Sequence, residues 1–295
     1  MAGFDSPLGR DLPGFTGRAD WKDKKMKVNY TLGVELEVIG VRPDSASEAL
    51  RSGGIASVAP GYTHDVIDTW KAVPDGSVSG RGGSAEIVSP ILTRETFAPI
   101  VFDVVRCLRR VRAGVNRSAG LHVHIGVGDW SNDKRANFAE NWHVLADAID
   151  SMVAPSRRLN GSHSRWCARR SEVSSRDLVR RMRAGEEFTN GSRDAGLSRG
   201  ENAASLNVAS FARYGTFEIR LHQGSLNAGK IGAWSEFLCA LADYSGEAGI
   251  LSGTYAGAEG ATSLVLHLAL GGWLDSTVAD YLIARIGDMD EREAV

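Results

Sequence analysis

Tyr30-Thr31-Leu32-Gly33-Val34-Glu35-Leu36-Glu37-Val38-Ile39-Gly40 is the stretch on which the reading of this chain turns. Its apolar run predicts a first β-strand over Val28–Ile39. On a strand, residues i and i+2 point to the same face, so Glu35 and Glu37 project side by side. Two like charges that close raise each other's pKa and oppose folding unless something positive compensates. A divalent cation is one compensation, and carboxylate oxygens suit Mg²⁺ or Mn²⁺. Solvent on the outer face of an edge strand is the other.

Three further stretches repeat the pattern. Ser84-Ala85-Glu86-Ile87-Val88-Ser89 reads as a strand closed by Pro90, with Glu86 set among apolar residues, and it follows the turn signal Pro74-Asp75-Gly76-Ser77. A buried carboxylate needs a partner, which is either a shared ion or one of many arginines. Asn116-Arg117-Ser118-Ala119-Gly120-Leu121-His122-Val123-His124-Ile125-Gly126 predicts a strand over Ala119–Gly126 with both imidazoles on one face. Histidine is a common ligand for divalent metals. In Gly215-Thr216-Phe217-Glu218-Ile219-Arg220-Leu221-His222, an acid, a guanidinium and an imidazole alternate with apolar residues. Read functionally, Glu218 is a metal ligand and Arg220 a clamp on phosphate. Read structurally, they are an exposed ion pair. Four strands that each present Glu, His or Arg on one face describe a sheet built for a nucleotide with metals.

The chain has 295 residues, 43% of them hydrophobic, and a formal net charge of −2. That length allows one or two domains, and the charge excludes a general polyanion binder. Residues 1–27 are polar with scattered Gly and Pro, which predicts a leader without a signal peptide or membrane span. Residues 28–295 are expected to form a single catalytic domain carrying an insertion at about 155–200. Three widely spaced cysteines, Cys107, Cys167 and Cys239, argue against a disulfide framework and fit a reducing cytoplasm.

Helices are expected over Ser45–Ser52, ended by Gly53-Gly54, and over Arg94–Ala113, Asp133–Val153 and Leu226–Tyr244. Two more are expected near the end, Thr262–Leu270 and Thr277–Ile286. Short strands are expected at Ile55–Val58 and Thr69–Val73. Ala203–Ser210 and Gly215–His222 read as a strand pair joined by a tight turn. Strands with long helices out of strict alternation predict an α+β fold with an antiparallel sheet.

The order Glu-x-Glu, Asp-Gly-Ser with Glu-x-x-Ser-Pro, Gly-x-His-x-His and Thr-Phe-Glu-x-Arg resembles the amidoligase family. That family belongs to the glutamine synthetase and glutamate–cysteine ligase superfamily, and the resemblance covers residues 29 to 240. It implies a curved antiparallel sheet with helices on its convex face. It also implies ATP-dependent amide formation through an acyl phosphate with Mg²⁺ or Mn²⁺. Carried over, Glu35 and Glu37 ligate different ions, Glu86 shares the ion of Glu37, and His122 and Glu218 join Glu35. His124 lies nearer the nucleotide, and Arg220 neutralises the transferring phosphoryl group. Asn116 and Gly120 resemble the approach to the His strand in glutamine synthetase. Asn207 and Lys230 flank the last motif as substrate or phosphate contacts. The implied substrates are a carboxylate and an amine, free or borne on a peptide, a protein or a modified base.

Between Arg157 and Arg183 stand nine arginines, with Glu172 and Asp177 as the acids among them. The stretch fits a solvated helix surface, a cradle for ATP phosphates or an acidic substrate, or a grip on nucleic acid with Trp166 to stack on a base. The Gly/Ser/Asn-rich segment Gly185–Gly200, with Glu186 and Glu187, reads as a loop that closes over the site. Two other functions fit the residues. A zinc hydrolase would use His122, His124 and a carboxylate, and a non-catalytic binding protein would keep the fold alone. An oligomer is compatible with either.

Overall fold

The computed structural model describes residues 28–186 and 204–293. Residues 1–27 and nearly all of the expected closing loop lie outside the described residues, as does the side chain of Trp166. Two compact units divide the chain. One takes the residues up to Val123 with His222–Gly232, and the other takes His124–Leu221 with Ala233–Val295. Each is a mixture of helices and mostly antiparallel strands, as the α+β reading expects.

The first unit opens with β1 (Thr31–Ile39) and α1 (Pro43–Ser52). Then come β2 (Ser57–Val58), β3 (Trp70–Val73), β4 (Ser84–Val88), β5 (Leu92–Thr93) and α2 (Arg94–Arg110). The strand β6 (Leu121–Gly126) begins in this unit. The strands lie in the order β2-β3-β4-β1-β6, with β5 paired to β1. Neighbours β3, β4, β1 and β5 run antiparallel. The short edge strand β2 instead runs parallel to β3, a departure from the wholly antiparallel expectation.

Register sorts the side chains of this sheet. Leu36 lies opposite Ile87, and Ile87 opposite Ala72. All three are buried, as are Val34 and Val38, and together they form the floor on which α1 and α2 pack. Their odd-numbered neighbours in β1 leave the other face, where Glu37 stands opposite Glu86 and Glu35 opposite Val88. Pro43 at the first helical position starts α1, where a missing N–H costs nothing. Thr93 and Thr96 cap α2 reciprocally through side chain and backbone.

The second unit contains the end of β6, then α3 (Asn132–Val144), α4 (Ala146–Ser151) and α5 (Glu172–Arg183). Next are β7 (Leu206–Asn207), α6 (Ser210–Tyr214), β8 (Thr216–Ile219), most of α7 (Ala228–Glu247), α8 (Gly257–Leu270) and α9 (Ser276–Glu293). The core is aromatic. Trp130, Phe138 and Phe217 meet at ring distances of 5.7 to 6.3 Å, and Phe138 continues through Trp142 to Trp234. Helix α3 packs on α5, and α8 on α4 and α9. Among the described residues no helix is long and apolar enough to cross a membrane.

Two expectations need correction here. The single helix Asp133–Val153 is divided at Leu145, where ψ is 4° and the side chain is fully buried. The Leu145 amide still donates to the Asn141 carbonyl and the Ile149 amide to the Leu145 carbonyl, both at 2.9 Å, so the division is a local change in ψ. The strand pair is shorter than expected, and it is joined by α6 in place of a tight turn. Asn207 accepts the Ala209 amide on its side chain and the Ser210 hydroxyl on its carbonyl, which starts a helical turn. Gly215, with φ of 65°, ends it in the left-handed region. The last strand stops at Ile219, so Arg220 and His222 lie beyond it, although the Arg220 amide still donates to the Ser205 carbonyl at 2.9 Å.

Candidate metal centre

The acid-bearing face of the first unit's sheet is a concentrated set of donors. His122 stands between the two glutamates of β1, its Nδ1 2.8 Å from Glu35 Oε2 and its Nε2 3.4 Å from Glu37 Oε1. The Gly120 amide donates to Glu37 Oε2 at 2.5 Å, so the approach to the His strand orients a carboxylate directly. Both Glu37 and His122 are buried. Two groups of potential ligands have donor atoms within 4.8 Å of one another. One is Glu35, Glu86 and His122, and the other is Glu37, Asp75 and Glu86. Glu86 belongs to both, and β1 supplies one acid to each.

Asp75 completes the second group, a role that sequence reading left open. Its Oδ1 accepts the Ser77 amide at 2.7 Å and the Ser77 hydroxyl at 2.8 Å. This Asx turn just past β3 fixes the direction of the carboxylate. Asn116 uses its side chain locally, donating to the Ser79 carbonyl and accepting from the Ser118 amide and hydroxyl. The main-chain amide of Lys230 donates to Asn227 Oδ1 in the first turn of α7.

Electrostatics of the cluster follow from its geometry. Burial pushes the Glu86 carboxyl well above the ordinary carboxylate range, and the charges of Glu35, Glu37 and Asp75, with a hydrogen bond to Glu35, push it further. Four carboxylates and one imidazole form an oxygen-rich set whose repulsion a hard divalent cation relieves, so the residues present fit Mg²⁺ or Mn²⁺. A single imidazole among four carboxylates is a poorer fit to zinc, which favours nitrogen and sulfur.

A pH dependence follows. With its pKa raised in the folded state, Glu86 holds a proton there that it has already lost in the unfolded chain. Its contribution to stability is full below the ordinary carboxylate pKa and is lost as pH rises through the raised value. Thermal melts in chelator, between about pH 5 and 8, should therefore fall with pH more steeply for wild type than for Glu86→Gln. Saturating Mg²⁺ should remove the difference in slope. Equal slopes in chelator would refute the assignment.

The second unit gathers the other predicted residues. Glu218 is buried. It accepts from Asn207 Nδ2 at 2.7 Å and is ion-paired with Arg220. This is a buried pair, not the exposed one of the structural reading. His124 shares a hydrogen bond with the Thr216 hydroxyl at 3.0 Å and meets the Tyr214 ring edge-on. The arginine-rich stretch pairs with acids both within and beyond itself. Arg176 pairs with Glu172 and Arg180 with Asp177, while Arg169 pairs with Asp147 and Asp150, Arg181 with Glu186, and Arg183 with Glu140. Arg157 is buried, and Arg170 donates to the Leu206 carbonyl.

The model of a family described as "Putative amidoligase enzyme" matches residues 28–242. A search of the curated proteins finds no match.

Proposed function

The chain belongs to the amidoligase family, and from that premise we propose that it is an ATP- and Mg²⁺-dependent carboxylate–amine ligase. It would form an amide through an acyl phosphate, on a curved sheet of the glutamine synthetase catalytic type. What carries the reading is the cluster of Glu35, Glu37, Glu86 and His122 on the sheet, joined by Asp75 from the turn after β3. Two overlapping ligand groups sharing Glu86 suit a pair of hard cations.

When bound, the cations neutralise and orient phosphate oxygens, the main device for phosphoryl transfer. The protein's own residues do the rest. Glu35, Glu86 and His122 hold one ion, and Glu37, Asp75 and Glu86 the other. The Gly120 amide and Ser77 keep two of these carboxylates aimed. Glu218, Arg220 and His124 take the roles given by the family resemblance, with Arg220 neutralising charge on the transferred group and His124 facing the nucleotide. Phosphorylation turns a poor acylating agent into one with a good leaving group, and an amine then displaces phosphate.

The test is a calorimetric titration of the metal-stripped protein with Mn²⁺ and then with a nonhydrolysable ATP analogue. The analogue should bind only after the metal, and Glu86→Gln should abolish that order. ADP release should then appear with a panel of carboxylic acids and hydroxylamine as acceptor. Analogue binding that ignores the metal would overturn the reading. So would nucleotide-free hydrolysis restored by zinc alone, which would install the hydrolase in its place.

A further inference from the structure

We infer that Asn116 is a positioning residue for one of the two cations: its side chain clasps the loop that carries Asp75 to the segment that carries Gly120, and so holds the Asp75 and Glu37 carboxylates of a single ligand group in place. The inference rests on the metal centre of the ligase reading and adds to it a device that serves one ion and not the other. The group of Glu35, Glu86 and His122 comes entirely from the strands β1, β4 and β6. The group of Glu37, Asp75 and Glu86 takes one ligand from residues 74–83, the loop that joins β3 to β4. A strand fixes its side chains through its ladder, whereas a loop carboxylate is aimed only as well as the loop is held.

The loop is tethered along its length. Ser77 fixes Asp75 Oδ1 through its amide and hydroxyl. Ser84 lies two residues before Glu86 on β4 and shares its face. Its hydroxyl donates to the Val78 carbonyl at 3.0 Å, which brings the loop to the acid-bearing side, and Val78 itself is buried. A Cβ at Gly80 would lie 2.5 Å from the Ile39 Cβ, so the loop also runs tight against the end of β1.

Between these anchors, Ser79 is gripped from the approach to β6. Asn116 Nδ2 donates to the Ser79 carbonyl at 2.8 Å, and the Ser79 amide donates to Ser118 Oγ at 3.3 Å. Ser118 closes the ring, donating from its amide and its hydroxyl to Asn116 Oδ1 at 2.9 and 2.7 Å. Ser77, which orients Asp75, stands two residues to one side of this clasp. Gly120 stands two residues to the other, with its amide on Glu37 Oε2. Both aimed carboxylates belong to the same ligand group. Glu35, which belongs to the other, is set by the pairing of β1 with β4.

The probe is Mn²⁺, titrated into the metal-stripped full chain and followed by electron paramagnetic resonance, with amide exchange measured on the stripped protein. Wild type should bind two ions. Asn116→Ala should weaken one of them about tenfold, the lower end of what an outer partner of a metal ligand contributes, and leave the other within about twofold. It should also speed exchange at the Ser77, Ser79 and Gly120 amides. Added to Asp75→Asn, it should weaken that ion little further, because both changes act on one ligand. Ser118→Ala should reproduce the selective loss, and Ser118→Thr, which keeps the hydroxyl, should bind both ions as wild type does. This serine pair carries the test if Asn116→Ala does not fold. Both affinities unchanged, or both lowered by the same factor as a merely structural role requires, would overturn the inference. Wild type that binds a single ion would overturn it alone, whereas wild type that binds no Mn²⁺ would overturn the ligase reading with it.

Discussion

Glu86→Gln should abolish the tight binding of both divalent cations and, in chelator, raise the melting temperature. The two effects have opposite signs because in the proposed centre Glu86 would be a shared ligand when cations are present, whereas without them it is a source of repulsion. Its donor atom belongs to the Glu35–His122 group and to the Glu37–Asp75 group. Neutralising it removes an anionic ligand from each, and should cost more than the roughly 10–100-fold typical of losing a mere outer-shell partner. The same change relieves burial and the charges of three neighbouring acids. Each kcal/mol so recovered is worth roughly 2–4 °C at this chain size. Glu35→Gln and Asp75→Asn should each weaken one ion and spare the other. Mn²⁺ titration followed by electron paramagnetic resonance counts the sites. Two intact sites in Glu86→Gln would refute the shared-ligand assignment.

Arg220→Met should destabilise the protein by about 3–5 kcal/mol, the usual consequence of stranding one half of a buried ion pair. Glu218 has 7% of its side chain exposed, and Arg220 21%. Removing the guanidinium takes a charged partner from a carboxylate that also accepts from the Asn207 amide, a neutral donor at 2.7 Å. The double variant Arg220→Met/Glu218→Gln should recover most of the loss, because no buried charge then remains unmatched. Arg220→Lys should fall between, since an ammonium keeps the charge and loses the planar fork. Urea unfolding of wild type, Arg220→Met, Glu218→Gln and the double variant closes the cycle. A single variant no worse than the double would show that the pair is not coupled.

Much of the first unit was legible in the sequence because strand alternation is a local property. Glu35 and Glu37 share a face for the same reason that Leu36 and Val38 share the other, and both sets fall where period two puts them. Asp75 was harder, because it lies past the end of β3 in an Asp-Gly-Ser turn. A turn signal says that the chain bends, and the direction of the carboxylate then depends on the Ser77 hydrogen bonds and on the packing of β4. The break at Leu145 leaves no mark in composition, since leucine is a good helix former. Partners of the arginine-rich stretch were hidden by distance along the chain: Glu140 lies 43 residues from Arg183, and Asp147 lies 22 from Arg169.

The face-to-face placement of Glu37 and Glu86 on adjacent strands has one more consequence, for folding. Slipping β4 by one residue against β1 would turn Glu86 into the helix-covered floor and bring Ile87 out on the acid-bearing face. A slip of two would keep the faces and still move Glu86 out of reach of one ligand group. Either error leaves backbone hydrogen bonds to be made and destroys the shared ligand. In the proposed centre, cation binding would therefore favour one alignment of β1 with β4 over its near neighbours, and the bound ion would act as a proofreader of strand pairing.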